Sequence, residues 1–160
     1  MLKANRYLSG FASIAAFLAS ATGYAATTQY PGLDCVQGGT LSPSIWYQSG
    51  HAESLSSSAT FECPGPQSGG KLLAATVYGY DANPSLSVSC TARAVDSWGG
   101  SGFFTATVSS GNAFSGRFTL SLGAATAPGF NRPGFKLLVC SMNTSPGQGS
   151  YIGSYSLTEG

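Results

Sequence analysis

Short runs in which apolar and polar residues alternate recur along the chain, separated by clusters of Gly, Pro, Ser and Asn. A period of two is that of a strand whose side chains point in turn to a core and to water. The pattern is cleanest over 86–95. There Leu86, Val88, Cys90, Ala92 and Ala94 share one face, and Ser87, Ser89, Thr91 and Arg93 the other. Phe118, Leu120 and Leu122 alternate in the same way with Thr119 and Ser121, while Phe135-Lys136-Leu137-Leu138-Val139-Cys140 is apolar on both faces, as a central strand is. Strands are expected over 44–47, 59–63, 72–80, 86–95, 103–109, 117–122, 135–142 and 151–157. Beyond residue 25 no segment carries a sustained helical period with caps at both ends. The expected fold is therefore all-β: an antiparallel β-sandwich, jelly-roll or immunoglobulin-like, of about eight strands and stapled by disulfides.

The gaps between the runs have their own chemistry. Pro64-Gly65-Pro66-Gln67-Ser68-Gly69-Gly70 reads as a loop. Asp81-Ala82-Asn83-Pro84 reads as a hairpin-like turn, because Asn before Pro is biased away from the helical region and Asp81 can accept from a backbone N–H two residues on. Ser97-Trp98-Gly99-Gly100-Ser101-Gly102 reads as a flexible loop carrying one large aromatic ring.

The first 25 residues form a different kind of segment. Lys3 and Arg6 precede an uncharged, largely apolar run that ends in small residues, the layout of a secretory signal peptide. Cleavage after Ala25 is preferred to cleavage after Ala21, and the apolar run is short for a membrane-spanning helix. The expected organisation is a signal peptide over 1–25 and a single sandwich domain over 26–160, secreted or periplasmic. Without Lys3 and Arg6 five basic residues face six acidic ones, so the domain sits near a net charge of −1. Only 8% of all residues are charged. Such a surface has no electrostatic footprint for nucleic acid or anionic lipid, and no membrane insertion is expected after signal cleavage. Its partners must be held by shape, aromatic contact and neutral hydrogen bonds.

All four cysteines, Cys35, Cys63, Cys90 and Cys140, lie in the exported part, and an even number in an oxidising compartment points to two disulfides. Three pairings are possible. Cys90 and Cys140 each sit mid-strand, so a bond between them across the core is expected, with Cys35 and Cys63 tying the N-terminal arm to the second strand. A zinc site needs closely spaced ligand pairs, and the cysteine separations of 28, 27 and 50 with one histidine do not provide them. No metal or cofactor is expected.

The order of several motifs adds to this reading. Phe61-Glu62-Cys63-Pro64 comes first, followed by the 75–84 run ending in Asp81-Ala82-Asn83-Pro84. Leu86-Ser87-Val88-Ser89-Cys90-Thr91, Leu137-Leu138-Val139-Cys140-Ser141-Met142 and Gly153-Ser154-Tyr155-Ser156-Leu157-Thr158-Glu159 complete the set. Together they resemble a group of small exported, four-cysteine bacterial β proteins to which no activity is assigned. The resemblance implies a secreted, disulfide-bonded β domain and no particular chemistry.

Candidate chemistry is sparse. The lone histidine, His51, sits in a Ser/Gly-rich stretch without a Gly-x-Ser-x-Gly elbow and reads as a surface loop residue rather than the base of a triad. Asp81 and Asp96 lie at opposite ends of one strand, too far apart for a pair of glycosidase carboxylates. Calcium between Asp81 and Asn83 is set against a side-chain-capped turn that already explains both residues. Trp46 reads as core or edge packing. Trp98 in its glycine-rich loop, with Asp96 and Ser97 beside it, is the candidate ligand-binding group: an exposed ring offers a face to a sugar, and its neighbours offer hydrogen bonds. The expectation is a non-enzymatic binding module, with a glycan as the possible ligand and no catalytic residue. The alternative is a structural or assembly subunit of the cell surface.

Overall fold

The computed structural model describes residues 25–38, 45–54, 58–68, 70–96, 102–111, 115–124, 134–142 and 149–160. The described strands are β1 (Ala26–Pro31), β2 (Val36–Gln37), β3 (Ile45–Gln48), β4 (His51–Ser54), β5 (Ala59–Ser68), β6 (Leu72–Asp81), β7 (Val88–Asp96), β8 (Gly102–Phe104), β9 (Val108–Ser109), β10 (Gly116–Leu122), β11 (Gly134–Met142) and β12 (Tyr151–Glu159). One 3-10 turn, Gly32–Asp34, joins β1 to the segment before β2.

The strands form two six-stranded sheets in which every pairing is antiparallel. Sheet A runs β10-β6-β12-β4-β3 with β1 also on β12, and sheet B runs β2-β5-β11-β7-β8 with β9 also on β7. The alternation expected from the sequence decides which side of each strand turns inward. Phe118, Leu120 and Leu122 of β10, Val77 of β6, and Ile152, Tyr155 and Leu157 of β12 are buried, as are Phe61 of β5, Ala92 and Ala94 of β7, and Leu138 and Met142 of β11. The fold is the expected sandwich, with short strands added to the long ones.

Several local expectations change. The stretch after Cys63 is not a loop. β5 continues to Ser68, with Pro64 opposite Leu137 and Gln67 opposite Phe135 of β11. Prolines are tolerated because, among the described residues, β2 pairs with β5 at Phe61 and Glu62 and no strand covers the far side of β5 at Pro64 and Pro66, so no N–H donor is asked of them there. Gly65 and Pro66 together face Lys136, which makes this a bulge. Leu86 is exposed rather than core, because β7 begins only at Val88. His51 opens strand β4 instead of lying in a loop. The polar N-terminal segment pairs with β12 as β1, and Pro31 is tolerated as its last residue. The expected strand over 103–109 divides into β8 and β9 around residues 105–107.

The disulfides join Cys35 to Cys63 and Cys90 to Cys140, the expected connectivity. The second bond does not cross the core, however. Cys90 and Cys140 are directly opposite on the neighbouring strands β7 and β11, so their sulfurs meet within sheet B.

The turn at Asp81 links β6 in sheet A to β7 in sheet B and is therefore a connection between sheets, not a hairpin. Its chemistry follows the expected mechanism. Asn83 N donates to Asp81 Oδ1 at 3.1 Å, and Ser85 N donates to Asn83 Oδ1 at 2.9 Å. The carboxylate is fully buried and does more than cap the turn. Its Oδ2 accepts from Ser110 Oγ at 2.6 Å and Val88 N at 3.3 Å, and its Oδ1 from Ser150 Oγ at 3.5 Å. One side chain thus gathers the end of β6, the start of β7, the residue after β9 and the residue before β12.

At mid-height Tyr155 of β12, fully buried, donates its hydroxyl to the Pro64 carbonyl of β5 at 2.5 Å, spanning the two sheets. Its ring stacks on Tyr30 of β1 at 5.1 Å between centroids. A second polar tie joins Lys136 of β11, buried on the inner face, to Glu159 of β12.

Two outcomes follow from these ties. Asp81→Ala strands buried donors on both sheets and is expected to lower stability by about 3 kcal/mol in urea unfolding. Burial, with smaller contributions from Asp34 and Tyr30, raises the Tyr155 phenol well above its ordinary range. The folded state therefore holds the neutral phenol. That contribution is intact below the ordinary tyrosine value of about 10 and is lost as pH rises beyond it. Tyr155→Phe should cost about 1 kcal/mol at neutral pH and make the alkaline loss of stability shallower, as read from melting curves between neutral and alkaline pH.

Candidate functional site

The inward turn of Lys136, Leu138, Cys140 and Met142 leaves Phe135, Leu137 and Val139 of the same strand on the outer face of sheet B. Their cross-strand neighbours complete three rows: Glu62, Val139 and Thr91; Pro64, Leu137 and Arg93; Gln67, Phe135 and Val95. The centre of this outer face is apolar, flanked by Glu62 and Gln67 on the β5 side and by Thr91 and Arg93 on the β7 side. The sequence signal is the run that is hydrophobic on both faces, which assigns apolar residues to a surface the core does not use.

The bulge at Gly65 and Pro66 shapes that surface, since an extra residue bends the strand that carries it. A cavity of about 270 Å³ lies there, lined by Val36, Glu62, Pro64, Gly65, Gln67, Phe135, Lys136 and Leu137. Val36 is 54% exposed and Phe135 37% exposed, so large apolar groups face water on two of its sides. Lys136 contributes from the main-chain side, because its ammonium is buried against Glu159 in the interior. Gly65 is required by close approach, as a Cβ there would stand 2.2 Å from Leu157 Cδ1 of the other sheet.

The wall on the β2 side is held covalently. β2 is two residues long, pairs Val36 with Glu62 and Gln37 with Phe61, and is extended by Gly38 N donating to Thr60 O at 2.9 Å. Pairing this short is marginal by itself. The bond between Cys35 and Cys63 flanks it and fixes Val36 over the cavity. A Cβ at Gly38 would fall 2.7 Å from Glu62 Cγ, so the same arm also backs the Glu62 side chain.

The expected site residues are placed only in part. Ser97 and Trp98 lie outside the described residues. Asp96 closes β7, its backbone opposite Gly134, one step beyond the Phe135 and Val95 pair. Trp46 is on β3 opposite Glu53, and its side chain is likewise outside the description.

The other clusters are occupied by their own contacts. On the outer face of sheet A the Tyr151 ring lies 4.3 Å from His51 and 5.7 Å from Tyr80, centroid to centroid, a ladder in which aromatic faces meet one another. His51 Nε2 is 3.8 Å from Glu53 Oε2. Asp81 and Asn83 direct their side-chain oxygens to backbone N–H and hydroxyl donors, the capped-turn reading. Among the described residues no three His, Cys, Asp or Glu side chains are grouped to hold a metal.

No protein-family model and no curated protein matches the chain. Solved structures do. The chain is similar to the CBM36-1 domain of a multidomain xylanase from the hindgut metagenome of Trinervitermes trinervoides, with 9% identity over 82% of this chain and 96% of that one, at a TM-score of 0.50. Similarity also extends to the exo-beta-1,3-galactanase Pc1,3Gal43A from Phanerochaete chrysosporium, at 14% identity, 82% coverage of this chain and a TM-score of 0.48. The Podospora anserina GH26-CBM35 beta-(1,4)-mannanase follows at 14% identity, 84% coverage and a TM-score of 0.47. The chain spans 29% and 28% of those two enzyme chains. At such identities the likeness is one of fold: this chain is a β-sandwich of the kind seen in the CBM36-1 domain.

Proposed function

We propose that the protein is an exported, non-catalytic binding module for uncharged glycans and that the depression on the outer face of sheet B is its binding site. The observation that carries this reading is the composition of the depression: an apolar floor of Phe135, Leu137, Pro64 and Val36 with Glu62 and Gln67 beside it. A sugar ring presents an apolar C–H face and a rim of hydroxyls, and such a ligand is held by an apolar surface with a few placed polar groups. A cavity of about 270 Å³ is just below the usual size of pockets for larger ligands, which matches one or two sugar units of a chain.

Two further observations support the reading. The nearly neutral exported domain has no net positive charge with which to attract a polyanion. The sandwich it shares with the CBM36-1 domain of a xylanase is a fold on which a carbohydrate-binding module occurs. Two disulfides fit an oxidising compartment outside the cytoplasm.

The test is affinity electrophoresis of the purified protein in gels cast with xylan, galactomannan or a neutral β-glucan, one polymer per gel. Phe135→Ala is expected to weaken binding about tenfold, equal to about 1.4 kcal/mol, and Gln67→Ala several-fold. Gln67→Ala should leave the thermal midpoint in place, as its side chain is exposed, and Phe135→Ala, whose ring is 37% exposed, should still melt in one cooperative transition. The paired variant Cys35→Ser with Cys63→Ser opens a loop of 28 residues and should lose about 3–4 kcal/mol of stability on the chain-entropy account. It should also weaken binding at the depression, whose β2 wall the bond holds in place. Undiminished binding by Phe135→Ala, with Trp98→Ala abolishing it, would move the site to the 96–98 segment.

A further inference from the structure

The outer face of sheet A carries a second set of neutral groups. Across β10, β6, β12 and β1, one cross-strand row is Thr119, Tyr78, Ser154 and Pro31, and the next is Ser121, Thr76, Ser156 and Gln29. Neither row contains a charged residue, and the row beyond, Ala74 with Thr158 and Thr27, contains none either. Charges stand at the two ends of the field: Arg117 opposite Tyr80 and Glu53 opposite Tyr151 beside the aromatic ladder, and exposed Lys71 before β6 at the other end. Tyr78 stands at the middle of this field, 44% exposed.

A solvated sheet face is ordinarily kept soluble by interspersed Lys, Glu and Arg. Here hydroxyls and one amide take their place around a single exposed aromatic ring. Such a face has nothing to offer an ion and much to offer a polyol: a π surface for C–H groups and alternating donors and acceptors for hydroxyls. With four strands at about 4.7 Å spacing the field is about 14 Å wide, room for several sugar units in an extended chain.

We propose that the outer face of sheet A is a second glycan-contact surface that takes an uncharged polysaccharide chain across Tyr78, so that one molecule joins two chains through its opposite faces. The ligand class is the one proposed for sheet B, and the proposal rests on that reading only for the second of the two contacts. The faces are separated by the full thickness of the sandwich, about 10 Å between sheets, so occupation of one leaves the other open. Two contacts on one polymer also raise avidity well beyond either alone.

The experiment uses beads coated with galactomannan, xylan or a neutral β-glucan, and reads both binding and bead clustering. The wild-type protein should cluster beads of at least one polymer. Phe135→Ala should still bind but no longer cluster, and so should Tyr78→Ala and, separately, Ser156→Glu. Combining Phe135→Ala with Tyr78→Ala should remove binding altogether. A retained cooperative thermal transition in each variant confirms that it folds. The proposal is overturned if Tyr78→Ala and Ser156→Glu cluster beads as well as the wild type, or if Phe135→Ala alone abolishes all binding; the second result leaves the sheet B site standing. Loss of binding in Tyr78→Ala with none in Phe135→Ala keeps this face and removes the depression as the site. Failure to bind any polymer sinks both readings.

Discussion

Both disulfides lie on the sheet B side of the molecule, so the attachment of one sheet to the other rests on burial of the two inner faces. At roughly 25 cal/mol per Å² of apolar surface, the interleaved Phe61, Leu138, Met142, Phe118, Leu120, Ile152 and Leu157 supply the main cohesion. That force is non-directional and does not by itself set how the sheets are placed. Placement comes from the polar ties that cross the interior: Asp81 at one end, Tyr155 to Pro64 at mid-height, and Lys136 to Glu159. Each is hydrogen-bonded or ion-paired, as buried polar groups must be if they are not to cost stability.

The same ties shape the surface. Tyr155 holds the carbonyl of Pro64, a residue that lines the depression, and Lys136 turns its charge inward so that only its main chain meets the cavity. Gly65 admits Leu157 of sheet A to within contact of the bulge that bends β5. The geometry of an outer face is therefore determined by what happens on the inner one. The disulfide between Cys35 and Cys63 adds the remaining wall by fastening a two-residue strand that could not hold its place through backbone pairing alone.

Charge is sparse on both candidate surfaces: Glu62 and Arg93 on sheet B, and none in the rows around Tyr78 on sheet A. With so few ionisable groups in the chain, and two of them consumed by the Lys136 and Glu159 pair, recognition falls to rings, hydroxyls and amides, with Glu62 the one carboxylate at the depression. A binding surface of this kind depends little on salt, because it holds its partner without attraction between charges. It also tolerates exposed Val36, Phe135 and Tyr78 at positions that a purely structural sheet would fill with charge.

The sequence by itself determined the elements that local chemistry controls. Period-two alternation gave away the inner faces of β7 and β10, and the pairing of Asp81 with Asn83 N followed from the reach of an aspartate side chain. The cysteine connectivity was expected from the mid-strand places of Cys90 and Cys140, as a bond across the core. What the tertiary structure decided is which strands are neighbours. That choice put Cys90 beside Cys140 within one sheet, carried Asp81 from one sheet to the other, and turned Pro64-Gly65-Pro66 into an edge strand, where a missing N–H does no harm. The depression was illegible for the same reason: Val36, Glu62, Gln67 and Phe135 come from three separate strands, and only long-range pairing brings them together.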